Sequence, residues 1–331
     1  LVIALFALTY VLMLSIPKYR HFAALAVAGI YVVLGVVAPV EALGAIDWNV
    51  ILMLAGTMGT VYLCIESQMP AAVADILVNK LKKIKLIFVA LALFSGFVSA
   101  FIDNVATVLM IAPIALAIAE KFNISPVQTV LTVAVSSNLQ GAATLVGDTT
   151  SILLGGYAGM DFMDFFFMDG KLGMFWIVQA GALATVPVLF YIFRKETRII
   201  DRGTVTEITN MFPTYTLLAT VACLVAASFI PNKPAITNGV ICVVFCIITM
   251  AQEFWLNRDE TKIKDTVLNI DFHTLMLLSG LFIIIQGITN VGLINDISNL
   301  FVSIAGDNVF FIYTILVWFS VIISAFCTFC K

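Results

Sequence analysis

Two short stretches place polar side chains among oil-like neighbours. SAFIDNVATVLMIAPI, residues 99–114, carries the pair Asp103-Asn104. SSNLQGAATLVGDTTSILLGG, residues 136–156, carries Ser136, Ser137, Asn138, Gln140, Thr144, Asp148, Thr149, Thr150 and Ser151, interleaved with Gly141, Gly147, Gly155 and Gly156. Glycines and hydroxyls with one carboxylate, inside an apolar run, read as an unwound helix. Carbonyls freed from a helix can coordinate a cation, and hydroxyl and amide side chains complete its shell. A carboxylate at the centre of a bilayer costs roughly 2.5–3.5 kcal/mol on insertion scales. Asp103 and Asp148 therefore each need a cation, a proton or a helix N-terminus, and no Lys or Arg lies between 86 and 120. Asp103 reads as an ion or proton site, as the cap of a hairpin arm, or as both; Asp148 divides between the same readings.

The solvent that makes these residues unusual is set by composition. Of 331 residues, 62% are hydrophobic and 11% charged, with a mean hydropathy of +1.09. A soluble domain of this length cannot hide that much apolar surface, and several runs approach bilayer length. The fold class is an all-α polytopic membrane protein; a β-barrel would show short alternating segments instead. The net charge of −3 is silent on nucleic acid, and none is expected as a partner. Cys64, Cys223, Cys242, Cys246, Cys327 and Cys330 lie in or beside apolar runs and read as small buried hydrophobes, with no disulfide framework and no metal site. His21 in a basic loop and His273 at the start of a run read as structural, as does Glu66 at an interface. Leu1 already lies within an apolar run, with no signal peptide before it, and a missing start is the expectation.

Apolar runs fall at 1–16, 22–38, 50–65, 86–101, 104–119, 127–157 with an interruption, 172–193, 215–230, 236–254, 272–290 and 309–326. The segment 70–85, PAAVADILVNKLKKIK, sets apolar residues at helical spacing against a Lys-rich side and reads as a surface helix. Basic residues cluster at Lys18 and Arg20, at Lys80, Lys82, Lys83 and Lys85, at Arg194, Lys195, Arg198 and Arg202, and at Arg258, Lys262 and Lys264. Loops between them are acidic or nearly uncharged, with Glu41, Asp47, Asp161, Asp164, Asp169, Asp296 and Asp307. The basic side is expected to be cytoplasmic in a plasma (inner) membrane. Pro113 and the short arms make 86–119 a re-entrant hairpin turning at Asp103-Asn104.

An internal repeat organises the chain. IDWNVILMLAG at 46–56 matches IDFHTLMLLSG at 270–280, SAF at 99–101 matches SAF at 324–326, and Ile16-Pro17 matches Ile230-Pro231. The first unit spans 1–200, with the surface helix 70–85, the hairpin 86–119, the broken helix 127–157 and the span 172–193. Its odd number of crossings turns the second unit, 210–331, upside down. Inverted repeats with interrupted helices are the architecture of secondary transporters. The second unit has no counterpart of Asp103-Asn104, so a C-terminally truncated fragment is expected.

The two polar motifs resemble those of the ion transporter superfamily, which includes arsenite-efflux permeases, sodium–proton antiporters of the NhaD type, citrate permeases and divalent-anion–sodium symporters. The resemblance covers nearly the whole chain. It implies a homodimer when full length, an elevator-type motion of a transport domain against a scaffold, and a sodium and substrate site at the hairpin tip and the broken-helix loop. That site carries over to Asp103, Asn104 and Thr107 and to Thr144, Gly147 and Asp148, with Ser137 and Asn138 from the adjoining polar stretch. Na+ is expected at Asp103, Asn104, Thr144 and Asp148. The coupling ion is Na+ or H+, no cofactor is expected, and the partners are a small ion or organic anion and the lipid bilayer. The family loop usually continues Gly-Asp-Pro-Pro-Asn, whereas Gly147-Asp148 is followed by Thr149-Thr150-Ser151. The tip of dicarboxylate symporters resembles Ser-Asn-Thr, and here it is Asp-Asn-Val. A fixed negative charge repels a dianion, so the chain resembles the arsenite and sodium–proton branch more closely; a sodium-coupled dicarboxylate or citrate carrier is the alternative.

Other classes fare worse. Leu145-Val146-Gly147-Asp148 lacks the first glycine of the intramembrane aspartyl motif, and no His-Glu-x-x-His or Gly-x-Ser-x-Gly occurs. A nucleotide-driven pump needs a phosphate-cradling loop, and none is present. An enzyme is not expected. A non-transporting, transporter-like sensor remains open.

Overall fold

The computed structural model describes residues 1–81, 83–196, 198, 206–257, 260–305 and 308–329. Lys82, Arg202, Arg258, Asp307 and Cys330 lie outside the described residues. The chain begins with α1 (Val2–Ser15), α2 (Arg20–Val33) and α3 (Pro39–Ala45). It continues through α4 (Trp48–Glu66), α5 (Met69–Lys80), α6 (Ile84–Ser99), α7 (Asn104–Lys121), α8 (Pro126–Gly141), α9 (Thr149–Ala158) and α10 (Met174–Ile192). The remainder comprises α11 (Phe212–Ser228), α12 (Thr237–Asn257), α13 (Glu260–Leu268), α14 (Phe272–Asn290), α15 (Leu293–Ala305) and α16 (Val309–Phe329). The protein is all-α and polytopic. Among the described residues, five helical stretches are long and apolar enough to cross a membrane, and α1 with 17–33 forms a further pair bent by 118°.

Helix boundaries follow local chemistry. Pro126 opens α8 behind Ser125, where the missing N–H costs nothing. Asp103 caps α7 by accepting from the Val105 and Ala106 amides, the bonds an N-cap side chain supplies. A short strand pairing, β1 (Phe167–Met168) with β2 (Lys171–Leu172), is absent from the apolar-run pattern. Its turn is Asp169-Gly170, both at positive φ (51° and 74°), the conformation a two-residue hairpin requires.

Two compact units make up the chain: Trp48–Ile270, and Leu1–Asp47 with Asp271–Lys331. In the first, Ile84, Ile87, Phe88 and Leu91 line one face of α6 at helical spacing. They bury against Ile111, Ala115, Ile118 and Ala119 of α7, with Val133 of α8 and Ala74 of α5. The same unit packs α4 along α12 so closely that a Cβ at Gly56 would fall 2.6 Å from the Cys242 carbonyl oxygen and the Val243 nitrogen. In the second unit α2 packs along α14, and a Cβ at Gly280 would fall 2.9 Å from the Ala24 carbonyl carbon. Gly56 and Gly280 are the matching last residues of the two IDxxxxxxLxG segments.

Candidate functional site

The site grows from two interruptions in unit 48–270. The first is the turn between α6 and α7. The second is 142–148, between α8 and α9, where Asp148 is extended (φ −148°, ψ 152°) and opens α9. Gly147 joins them. A Cβ there would lie 2.6, 2.7 and 2.8 Å from the carbonyl oxygens of Gly141, Ser99 and Ala100. Only a glycine lets the broken-helix loop seat against the end of α6.

Hydrogen bonds then tie the tip to the break. The Thr144 hydroxyl donates to the Ala100 carbonyl. Asn104 Nδ2 donates to Asn138 Oδ1 at 2.9 Å, and Ser137 Oγ donates to the Asn104 carbonyl at 3.1 Å. Asp148 accepts from Thr150 Oγ1 at 2.9 Å and Thr149 Oγ1 at 3.3 Å, so these two hydroxyls solvate its carboxylate. Asp103 and Asp148 line one small cleft with Val146, Thr149 and Ile152, opposite Leu54, Thr57, Met58 and Val61 of α4. Five of the eight expected residues are thus linked by hydrogen bonds or Gly147's close contacts, and Asp103 joins Asp148 through the shared cleft. Thr107 is fully buried in α7. Its hydroxyl, like that of fully buried Ser99, has no hydrogen-bond partner.

Ser99 and Thr57 were not singled out by sequence. Ser99 opens the SAF repeat, a signal that in hindsight marks the tip, whereas Thr57 only follows Gly56 in an unbroken run. Gln140 of the polar stretch exchanges two amide hydrogen bonds with Gln179 of α10, at 2.8 and 3.2 Å. That reciprocal pair ties α8 to α10. Among the described residues no three His, Cys, Asp or Glu side chains gather as for a transition metal.

A citrate transporter family model matches residues 10–328. The chain belongs to the citrate transporter family. It is 28% identical, over 93% of its own length and 72% of the relative's, to an uncharacterized transporter of Mycobacterium tuberculosis. It is 27% identical to a 46 kDa membrane protein of Mycobacterium leprae, over 92% of this chain and 72% of that one. A putative arsB transporter of Dictyostelium discoideum is 22% identical over 56% of this chain and 32% of its own. The citrate transporter family member described here is thus a membrane transporter of the citrate and arsenite permease type, not an enzyme, and an integral protein of the plasma membrane.

Proposed function

We propose that the protein is a secondary active transporter that moves a small inorganic ion or organic anion coupled to Na+ or H+, with the coupling cation held between the α6–α7 tip and the α8–α9 break. One observation carries this reading: the Ser99 and Thr107 hydroxyls, buried without partners, adjoin a tip and a break that bring two carboxylates into one cleft. Buried polar atoms are normally paired, and two buried hydroxyls with lone pairs to offer beside this junction support a ligand there. The ligands would be Asp103, Asn104, Thr107, Thr144 and Asp148, with Ser137 and Asn138 shaping the tip and Gly147 admitting the loop.

The sign of the site follows from its helices. Asp103 and Asp148 each stand at the N-terminus of a helix, worth roughly half a positive charge. With both carboxylates ionised the junction retains roughly one negative charge, which one monovalent cation or proton neutralises. A bare dianion gains nothing from that field, which supports arsenite or sodium–proton character over dicarboxylate uptake; the arsB name of one relative points the same way.

The reading extends to an inverted-repeat, elevator-type homodimer. Its support is the correspondence of the two glycine crossings, Gly56 on α12 and Gly280 on α2, at equivalent places in the matched segments. Imposed sodium and proton gradients across proteoliposomes test the function. Uptake of arsenite, citrate or sodium driven by one of them is expected. No flux under either gradient would favour a non-transporting sensor.

A further inference from the structure

We propose that His21 and His273 form a proton-operated clasp on the α2–α14 crossing, which holds one proton and loosens when a second is forced onto it. The proposal is independent of the ion site, which lies in the other compact unit. The two imidazoles, one from the first turn of α2 and one from the first turn of α14, have ring centroids 4.3 Å apart with planes inclined by 35°. They are the only histidines in the chain. His21 is 3% exposed, and its Nε2 is buried without a hydrogen-bond partner, while His273 is exposed. A buried imidazole nitrogen without a partner is a costly feature, and its nearest titratable neighbour is an imidazole open to solvent.

The charges around the pair set what it can bind. Arg20 precedes His21, and Asp271 lies two residues before His273; both act on His21 electrostatically, with His273 itself. Asp271 is engaged as the cap of α14 by the Thr274 amide at 3.0 Å and hydroxyl at 2.5 Å. Phe22 packs its ring 4.2 Å from that of His21. One proton on the pair is balanced by Asp271. A second would set two imidazolium charges side by side with Arg20 against a single carboxylate. Two imidazoles this close therefore titrate as one coupled system.

The other unit supplies a comparison without protons. Asn49 takes the place of His273 in the matching segments IDWN and IDFH. Asn49 Oδ1 accepts from the Gly239 amide of α12 at 2.7 Å, near the Gly56 crossing. The α4–α12 crossing is thus clasped by an amide that does not titrate in the physiological range, and the α2–α14 crossing by a pair that does.

With two histidines in the chain, 15N-histidine spectra of the purified protein resolve each ring through a titration from pH 8 to pH 4. Two coupled steps are expected, separated by more than about one pH unit, with both rings shifting in the first. In His273→Asn, which copies the Asn49 arrangement, His21 should titrate in a single step, and the loss of thermal stability of wild type below the second step should shrink. A merely packed pair gives two independent single-step curves, with His21 unchanged by His273→Asn. That result overturns the proposal, and because the wild-type spectra alone report coupling, a variant that fails to fold does not protect it.

Discussion

Gly147→Ala is the sharpest structural perturbation available at the candidate site. The added methyl would meet three carbonyl oxygens at 2.6, 2.7 and 2.8 Å, whereas carbon–oxygen contacts settle at about 3.3–3.6 Å. Each contact must open by roughly 0.6 Å. The acceptors are backbone atoms, two at the end of α6 and one at the end of α8, so none can rotate away as a side chain would. Overpacking of this kind costs about 1–3 kcal/mol, and three rigid contacts place it at the upper end. For a unit of this size that is a fall in melting temperature on the order of 5–10 °C. The control is Gly29→Ala, where a Cβ on an exposed face of α2 meets nothing within 4 Å and helix propensity favours alanine by about 1 kcal/mol. Differential scanning fluorimetry of the purified proteins compares the two. A Gly147→Ala variant that melts with Gly29→Ala would refute the seating of the break on the hairpin tip.

Two further outcomes follow from the same geometry. Gly56→Ala and Gly280→Ala should both destabilise, Gly56→Ala the more, because its Cβ falls 2.6 Å from backbone atoms against 2.9 Å at Gly280; equal melting of both variants with wild type would show that the paired crossings carry no constraint. Amides of Asn290 and Gln286, with the Ala38 N–H, hold the Glu41 carboxyl below the usual carboxylate range, against a smaller opposing effect of burial. The folded state therefore favours the ionised form, a stabilisation fully present above the usual glutamate pKa of about 4.3 and lost as pH falls through the lower folded value. Glu41→Gln should remove that acid-side fall, as read from melting temperatures between pH 3 and pH 7, and a variant whose profile still overlays wild type would contradict it.

Much of the fold was readable because a bilayer leaves few options. The run 104–119 became α7 at Asn104–Lys121, 172–193 became α10 at Met174–Ile192, and 272–290 coincides with α14. The two interruptions were readable for the same reason: Asp103 and the Gly141–Asp148 stretch are expensive in hydrocarbon unless something solvates them. What solvates them was not readable. The donors to Asp103 are backbone amides and those to Asp148 are the Thr149 and Thr150 hydroxyls, and neither choice leaves a mark in hydropathy. Helices α13 and α15 escaped because their polar residues broke the runs. The contact between His21 and His273 escaped because nothing local joins α2 to α14.

The coupling cation is tested most directly at Asp103. Asparagine preserves the cap, since its side-chain oxygen accepts from the same amides, but it removes the charge. Thermal stabilisation of the purified protein is measured while NaCl replaces choline chloride at constant ionic strength and while pH is varied in choline. A bound cation stabilises by mass action, by about 2.7 kcal/mol at a hundredfold excess over its dissociation constant. Wild type should be stabilised by sodium or show a matching pH dependence. Asp103→Asn should shift that dependence by more than about tenfold, roughly 1.4 kcal/mol, while melting as wild type does without the cation. Sodium and pH responses that are identical in wild type and Asp103→Asn, or absent from wild type, would leave Asp103 as a helix cap alone and contradict a cation held between the hairpin tip and the broken helix.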